Sequence, residues 1–171
     1  MKGTRRRSAL FVALAVLAGS LPAIAAEAAV AVPTAGLGAK AGISVGGVVF
    51  PWQPRAAQVR DVGEFAATGA QWIRMDLQWN VVQAKGPNDW TWDHYDALAQ
   101  LAERSGLQVL FVVTWAPKWA NGGANQYTPP VNPADYARFF ARAVNRYEPG
   151  GVAGTNVHGW EIWNEPNSAQ F

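Results

Sequence analysis

The fold and function of this chain are decided by one stretch, Trp160-Glu161-Ile162-Trp163-Asn164-Glu165-Pro166-Asn167. The run from residue 157 to residue 163 mixes aromatic and β-branched residues in the way that strands do. Pro166 cannot donate a ladder hydrogen bond and breaks the strand, so Asn164 and Glu165 are expected at its C-terminal tip. A carboxylate at such a tip, beside an amide and between indoles, can act as a general acid because partial desolvation raises the pKa of a carboxyl group.

Upstream of this stretch, short apolar runs alternate with helical patterns. Residues 107–114 are apolar almost throughout, as expected of a strand that is covered on both faces. Gly69 and Gly106 are predicted to end helices as C′ glycines, and Asp93 is predicted to cap one. The predicted strands are residues 43–50, 72–77, 107–114 and 157–163, and the predicted helices begin at Arg55, Asp93 and Asn132-Pro133.

Strands that alternate with helices indicate an α/β fold with parallel pairing. A doubly wound sheet usually carries a glycine-rich phosphate turn after its first strand, and residues 50–54 are nothing like one. A (β/α)8 TIM barrel instead places its chemistry at the C-terminal ends of strands, where several tryptophans and Glu165 fall. We therefore predict the N-terminal part of such a barrel, with about four β/α units.

The sequence Trp-Asn-Glu-Pro at a strand end resembles the fourth strand of the clan of (β/α)8 retaining glycoside hydrolases. This clan includes the cellulase-like family 5 and the xylosidase-like family 39, and the resemblance extends over residues 42–167. The other matching landmarks are residues 69–76, Trp79, residues 86–93, the run Trp115-Ala116-Pro117-Lys118-Trp119, Arg146-Tyr147 and the stretch quoted above.

The resemblance implies a role for each of three residues. Glu165 is implied to be the general acid/base, and Asn164 to hold the 2-hydroxyl of the sugar. Arg74 matches an arginine that lies under the nucleophile and keeps it ionised. The alternative for Arg74 is an ion pair inside the barrel with Asp76 or Glu161.

Tryptophan dominates the aromatic content, and indole faces stack on the C–H faces of sugars. The alternative is that these large side chains fill a core, which we predict for Trp90 and Trp92. The tryptophans expected to contact substrate are Trp52, Trp79, Trp115, Trp119 and Trp163.

Retaining hydrolysis requires a second carboxylate about 5 Å from the first, which in this clan comes from strand seven. The chain has 171 residues, whereas a complete barrel takes about 250, so we expect an N-terminal half that lacks the nucleophile. Such a fragment should be inactive alone and could require a missing C-terminal half. The alternative is a secreted, non-catalytic carbohydrate-binding half-barrel. The carboxylates excluded as nucleophile, because they are predicted on or beside outer helices, are Asp61, Glu64, Asp96, Glu103, Asp135 and Glu148.

The N-terminal residues predict export. A basic head and the apolar run of residues 9–18 indicate a signal peptide over residues 1–28, followed by a flexible linker over 29–42 and the barrel domain over 43–171. An uncleaved membrane anchor is the alternative, but the run is shorter than the roughly 20 residues that a span needs. We therefore expect a secreted, extracellular or periplasmic protein with no membrane partner after signal cleavage.

Composition narrows the partners further. Without the basic head the chain is near neutral, which gives no indication of nucleic-acid binding. The absence of cysteine excludes disulfides. His94 and His158 have no second ligand at a suitable spacing, so neither a metal nor another cofactor is expected. The expected partner is a carbohydrate whose identity and linkage stay open.

Overall fold

The computed structural model describes residues 41–46 and 52–168, within which four parallel strands alternate with helices. The sheet has the order β1-β2-β3-β4, and every neighbouring pair is parallel. This architecture confirms the predicted α/β fold and matches part of a TIM barrel. The elements are β1 (Gly42–Ser44), α1 (Arg55–Ala67), β2 (Trp72–Gln78), α2 (Trp79–Val82), α3 (Asp93–Arg104), β3 (Gln108–Thr114), α4 (Pro133–Tyr147) and β4 (Gly159–Ile162).

The end signals of the helices are largely confirmed. Gly69 and Gly106 follow α1 and α3 with positive φ angles of 82° and 79°, which glycine adopts without steric cost. The Asn132 side chain accepts a hydrogen bond of 3.1 Å from the backbone N–H of Ala134, as expected of a cap. The predicted cap at Asp93 is wrong, because Asp93 is already the first helical residue of α3.

Two strand boundaries and one short helix differ from the expectations. Gly42, predicted in the linker, belongs to β1 and pairs with Trp72. The strand β4 is shorter than residues 157–163, and α2 was not predicted because a helix of 4 residues has no apolar period. The predicted signal peptide over 1–28 and residues 29–40 of the predicted linker lie outside the described residues.

Alternate residues of the central strands form the core between the sheet and the helices. In β2, Ile73, Met75 and Leu77 are at most 2% exposed, and side chains of β3 bury in the same cluster. Aromatic rings from α4 and from the segment before α3 complete it. Trp90 and Trp92 are stacked with a centroid distance of 5.7 Å, which confirms their predicted packing role.

The carboxylates expected outside the barrel are found there. Five of them lie on α1, α3 or α4, and Glu148 is the C-terminal cap of α4.

No helix in the described ranges is long and apolar enough to span a bilayer.

Candidate active site

A polar cluster occupies the face of the sheet opposite the helices. Arg74 and Asp76 alternate with the core residues of β2, so their side chains lie on the other face. The pairing register aligns Asp76 with Val112 of β3, and Val112 with Glu161 of β4. The two carboxylates therefore share one row across the sheet, and Arg74 lies one row earlier.

Arg74 connects three strands through its guanidinium group. Its Nε and Nη2 donate to the two carboxylate oxygens of Glu161 over 2.8 and 2.9 Å, a bidentate pair. Nη2 also donates to Oδ1 of Asn164 over 3.1 Å, and Nη1 donates to Oγ of Ser44 over 3.2 Å. The ion pair with Glu161, one of the alternatives for Arg74, is thus confirmed, and the same guanidinium reaches Asn164.

The electrostatics of the two carboxylates differ. Hydrogen bonding to Arg74 lowers the pKa of Glu161, and the same bond raises the pKa of Arg74. Burial raises the pKa of Asp76, against a smaller opposing effect from the charge of Arg74. Asp76 makes no hydrogen bond or ion pair within the described residues, so burial is the main cause of its raised pKa.

The tip of β4 has an unusual backbone. Trp163 and Glu165 have positive φ angles of 62° and 46°, a region that bulky residues rarely adopt. Trp115, which directly follows β3, has a φ of 66°. Two hydrogen bonds hold the tip: Trp163 N donates to Val113 O over 3.0 Å, and Ser168 N donates to Glu165 O over 2.8 Å. Backbone conformations of this kind cluster at functional sites.

Glu165 is exposed to solvent at this tip. The partial desolvation that the sequence led us to expect is therefore absent from this structure. Its negative charge nevertheless contributes to the raised pKa of Arg74, after the larger effects of Glu161 and Asp76. Arg74, Asn164 and Glu165, the three predicted catalytic residues, thus belong to one polar neighbourhood.

Two of the predicted substrate-contacting tryptophans, Trp52 and Trp115, retain surface near strand ends or loops, whereas Trp163 is buried. Trp52 is 59% exposed. Trp115 is half-buried and meets Tyr127 edge to face at a centroid distance of 5.9 Å. Trp163 is 8% exposed and meets Tyr136 edge to face at 5.8 Å.

The other two predicted contacts, Trp79 and Trp119, pack against each other edge to face at 5.6 Å. Trp79 is fully buried, stacks on Phe139 and donates its Nε1–H to Oε1 of Gln83 over 2.6 Å. It presents no surface to a ligand in this structure. Trp119 is half-buried and donates its Nε1–H to the carbonyl oxygen of Gln83 over 2.7 Å.

Sequence reasoning missed Ser44, the partner of Arg74 on β1. Ser44 is the one polar residue in the run from Ile43 to Phe50, and β1 pairs it with Arg74. A period-two interpretation of this run would have placed its hydroxyl on the polar face, beside the guanidinium.

No family model matches the chain. Among curated proteins, a β-amylase from Medicago sativa is 27% identical over 60 residues, which are 35% of this chain and 12% of that protein.

Solved structures match over much more of the chain. A family 39 glycoside hydrolase from Bacteroides cellulosilyticus WH2 superposes with a TM-score of 0.57 and 24% identity over 75% of this chain. A β-galactosidase from Marinomonas ef1 gives 0.61 and 18% over 77%, and an endoglucanase from Pseudomonas stutzeri gives 0.54 and 20% over 75%. The chain has part of the (β/α)8 glycoside hydrolase fold. It spans 25%, 22% and 42% of these three structures, respectively.

The position of the β4 tip in the sheet can be compared with the general layout of (β/α)8 barrels. Active sites of (β/α)8 barrels lie at the C-terminal ends of the strands. Asn164 and Glu165 follow β4, and Trp115 follows β3, at this end of the sheet. The polar row of Asp76 and Glu161 lies on the face that lines the interior of a barrel.

Proposed function

We propose that this chain carries the acid/base half of a retaining glycoside hydrolase site for β-linked oligo- or polysaccharides. The hydrogen bond from Arg74 Nη2 to Asn164 Oδ1, 3.1 Å long, carries the proposal. Because the amide oxygen is engaged, the two N–H donors of Asn164 are left for a sugar hydroxyl oxygen. This is the orientation required of a residue that holds the 2-hydroxyl.

Glu165 acts as the acid and then as the base. In the first step the proposed nucleophile forms a bond to the anomeric carbon as the bond from that carbon to the glycosidic oxygen breaks, and the carboxyl proton of Glu165 moves to this oxygen, which leaves as an alcohol. In the second step water attacks the anomeric carbon of the covalent intermediate, its proton moves to the Glu165 carboxylate, and the bond to the nucleophile breaks. Its exposed position at the strand tip allows a polymeric substrate to approach.

The nucleophile is proposed to come from outside the described residues. Both oxygens of Glu161 are bound by Arg74, and Asp76 lies in the same row of the sheet, before the strand ends where the substrate is proposed to bind. The hydrogen bonds of Arg74 to described residues occupy four of its five N–H donors and leave one on Nη1. That donor could hold the incoming carboxylate in its ionised form.

Two tryptophans, Trp52 and Trp115, are proposed to contact the sugar, because they lie in the loops or at the strand ends where a substrate would bind. The burial of Trp79 and Trp163 removes both from this set, and Trp119 packs against Trp79 instead. We further propose that the protein is exported, on the basis of the predicted signal peptide, and that it meets its carbohydrate outside the cytoplasm.

The experiment combines an activity assay with a binding assay on the 171-residue chain. We expect no release of aryl alcohol from aryl β-glycosides above background, because the nucleophile is proposed to lie outside the described residues. Isothermal titration with neutral β-linked oligosaccharides should show binding that Asn164→Ala weakens about tenfold, the loss of one good hydrogen bond. Asn156→Ala, in the loop before β4, is the matched control.

Two outcomes would contradict the proposal. Turnover that Glu165→Gln abolishes, while Glu148→Gln does not, would show that the nucleophile is already present. Binding that is unaffected by Asn164→Ala would favour a non-catalytic carbohydrate-binding protein.

A further inference from the structure

A cavity of about 550 Å³ lies between the segment that follows α2 and one face of α4. The segment contributes Asn88 and Trp90, and Trp119 comes from the loop after β3. Neither Arg74 nor any residue of the β4 tip lines it. Its volume falls in the range of small-molecule sites, about 300–1,000 Å³.

The α4 face of this cavity carries the polar groups. Asp135, Arg138, Arg142 and Asn145 recur at intervals of three and four residues, which places them on one side of the helix. Arg138 forms an ion pair with Asp135, so these two charges offset each other. Arg142 has no carboxylate partner among the described residues, and the cavity therefore carries an uncompensated positive charge.

The Arg142 guanidinium is held over an aromatic ring. Its central carbon lies 4.7 Å from the centroid of the Trp90 ring, within the range of cation–π contact. Trp90 is itself fixed by stacking on Phe139, with a centroid distance of 6.2 Å and an interplanar angle of 2°. The guanidinium makes no hydrogen bond to the described residues, so its N–H groups are available to an anion.

The remaining residues that line the cavity offer side-chain amides and an indole ring, which suit the hydroxyl groups and the C–H face of a sugar. The side-chain amides of Asn88 and Asn145 make no hydrogen bond to described residues, and both residues are exposed. The Nε1–H of Trp119 is bound to Gln83, so this indole offers ring carbons rather than a donor. Amides suit hydroxyl groups, and an indole surface suits the C–H face of a pyranose.

We propose that this cavity is a second saccharide-binding site, selective for oligosaccharides that carry a uronate. The carboxylate of the sugar acid pairs with Arg142, its hydroxyls bond to Asn88 and Asn145, and its C–H face lies against Trp119. The proposal does not depend on the proposed catalytic function, since the two sites share no residue. An oligosaccharide that carries a uronate would thus be bound in a cavity separate from the site at Glu165.

The test compares an acidic sugar with its neutral counterpart. The full chain is titrated calorimetrically with an oligogalacturonate and with the methyl ester of the same oligosaccharide, which keeps the rings and removes the charge. We expect the acid to bind and the ester to bind at least about tenfold more weakly, because hydrogen bonds between charged groups are the strong ones.

Variants then test whether Arg142 binds the carboxylate of the sugar acid. Arg142→Gln should weaken binding of the acid about tenfold or more, and Arg142→Lys should restore part of the loss because it keeps the charge without the planar fork. Arg104→Gln, at the exposed end of α3, removes the same charge elsewhere and should have no effect. Arg142→Gln should leave the binding of neutral β-linked oligosaccharides unchanged, which separates this site from the proposed catalytic one.

Equal binding of acid and ester, or equal losses for Arg142→Gln and Arg104→Gln, would overturn the proposal. If Arg142→Gln prevents folding, salt replaces it as the probe in the unmodified chain. Raising the salt concentration should weaken binding of the acid and leave the ester unchanged, because salt screens the charge pair. Acid binding that is insensitive to salt would also overturn the proposal.

Discussion

The two faces of the same sheet differ in composition and in packing. On the face toward the helices, Ile73, Met75 and Leu77 are at most 2% exposed and join an aromatic cluster. On the other face, Arg74 and Glu161 form an ion pair whose side chains are 30% and 41% exposed. Since these residues alternate along the strands, one short sequence supplies both a dry core and a polar, accessible surface.

The helix face contributes most to the stability of the fold, whereas the polar face carries the candidate site. Close-packed rings on the helix face stabilise the folded state through the burial of apolar area. The polar face contributes little, because exposed ion pairs are worth about 0.2–1 kcal/mol. Substitutions on the helix face should therefore change the free energy of unfolding more than substitutions on the polar face do. Some substitutions on the polar face should change it in the opposite direction.

The largest effect is expected from Phe139→Ala. Phe139 is fully buried and stacks with Trp79, Trp90 and Trp92. Removing its ring leaves a cavity among aromatic neighbours and should lower the free energy of unfolding by about 3–5 kcal/mol, measured by urea denaturation. Val131→Ala, at a side chain 78% exposed, is the control and should change it by less than about 0.5 kcal/mol. Equal losses would remove the distinction between core and surface.

Arg146→Ala tests a polar group on the helix side. Arg146 donates from Nε to Asp96 over 2.8 Å, and its guanidinium lies 5.3 Å from the ring centroid of Trp92. The pair is only 21% and 15% exposed, so its loss should cost about 1.5–3 kcal/mol. The same denaturation experiment on Arg104→Ala provides the comparison, and a cost no larger than that control would contradict the importance of burial.

Much of this arrangement follows from local sequence rules. The β3 run and the Gly69 and Gly106 signals are short-range features, so the strands and helix ends could be predicted without knowledge of neighbours. The burial of Trp79 could not, because the chain enters α2 directly after β2 and directs this indole into the core. The exposure of Glu165 likewise depends on what surrounds the tip in space.

Glu161→Gln should have a smaller effect, with a defined pH dependence. Arg74 lowers the pKa of Glu161 below its ordinary value of 4.5, so the pair stabilises the fold above that pH and loses its effect as pH falls through the lowered pKa. At neutral pH the cost should be about 0.2–1 kcal/mol, because the pair is partly exposed. Unfolding measured from neutral to acidic pH should show the two proteins converging in acid. A difference that grew in acid would contradict the assigned sign.

Asp76→Asn should have the smallest effect and the opposite sign. Burial raises the pKa of Asp76 above its ordinary value of 3.8, so its contribution favours the fold at low pH and is lost as pH rises through the raised pKa. The ionised carboxylate is thus a cost at neutral pH, and the neutral amide should leave stability unchanged or raise it by up to about 0.5 kcal/mol. The same pH series checks this, with Asp89→Asn on the loop before α3 as control. A clear loss of stability at neutral pH would mean that the charge of Asp76 supports Arg74, and the polar face would then contribute to the fold as well as to the site.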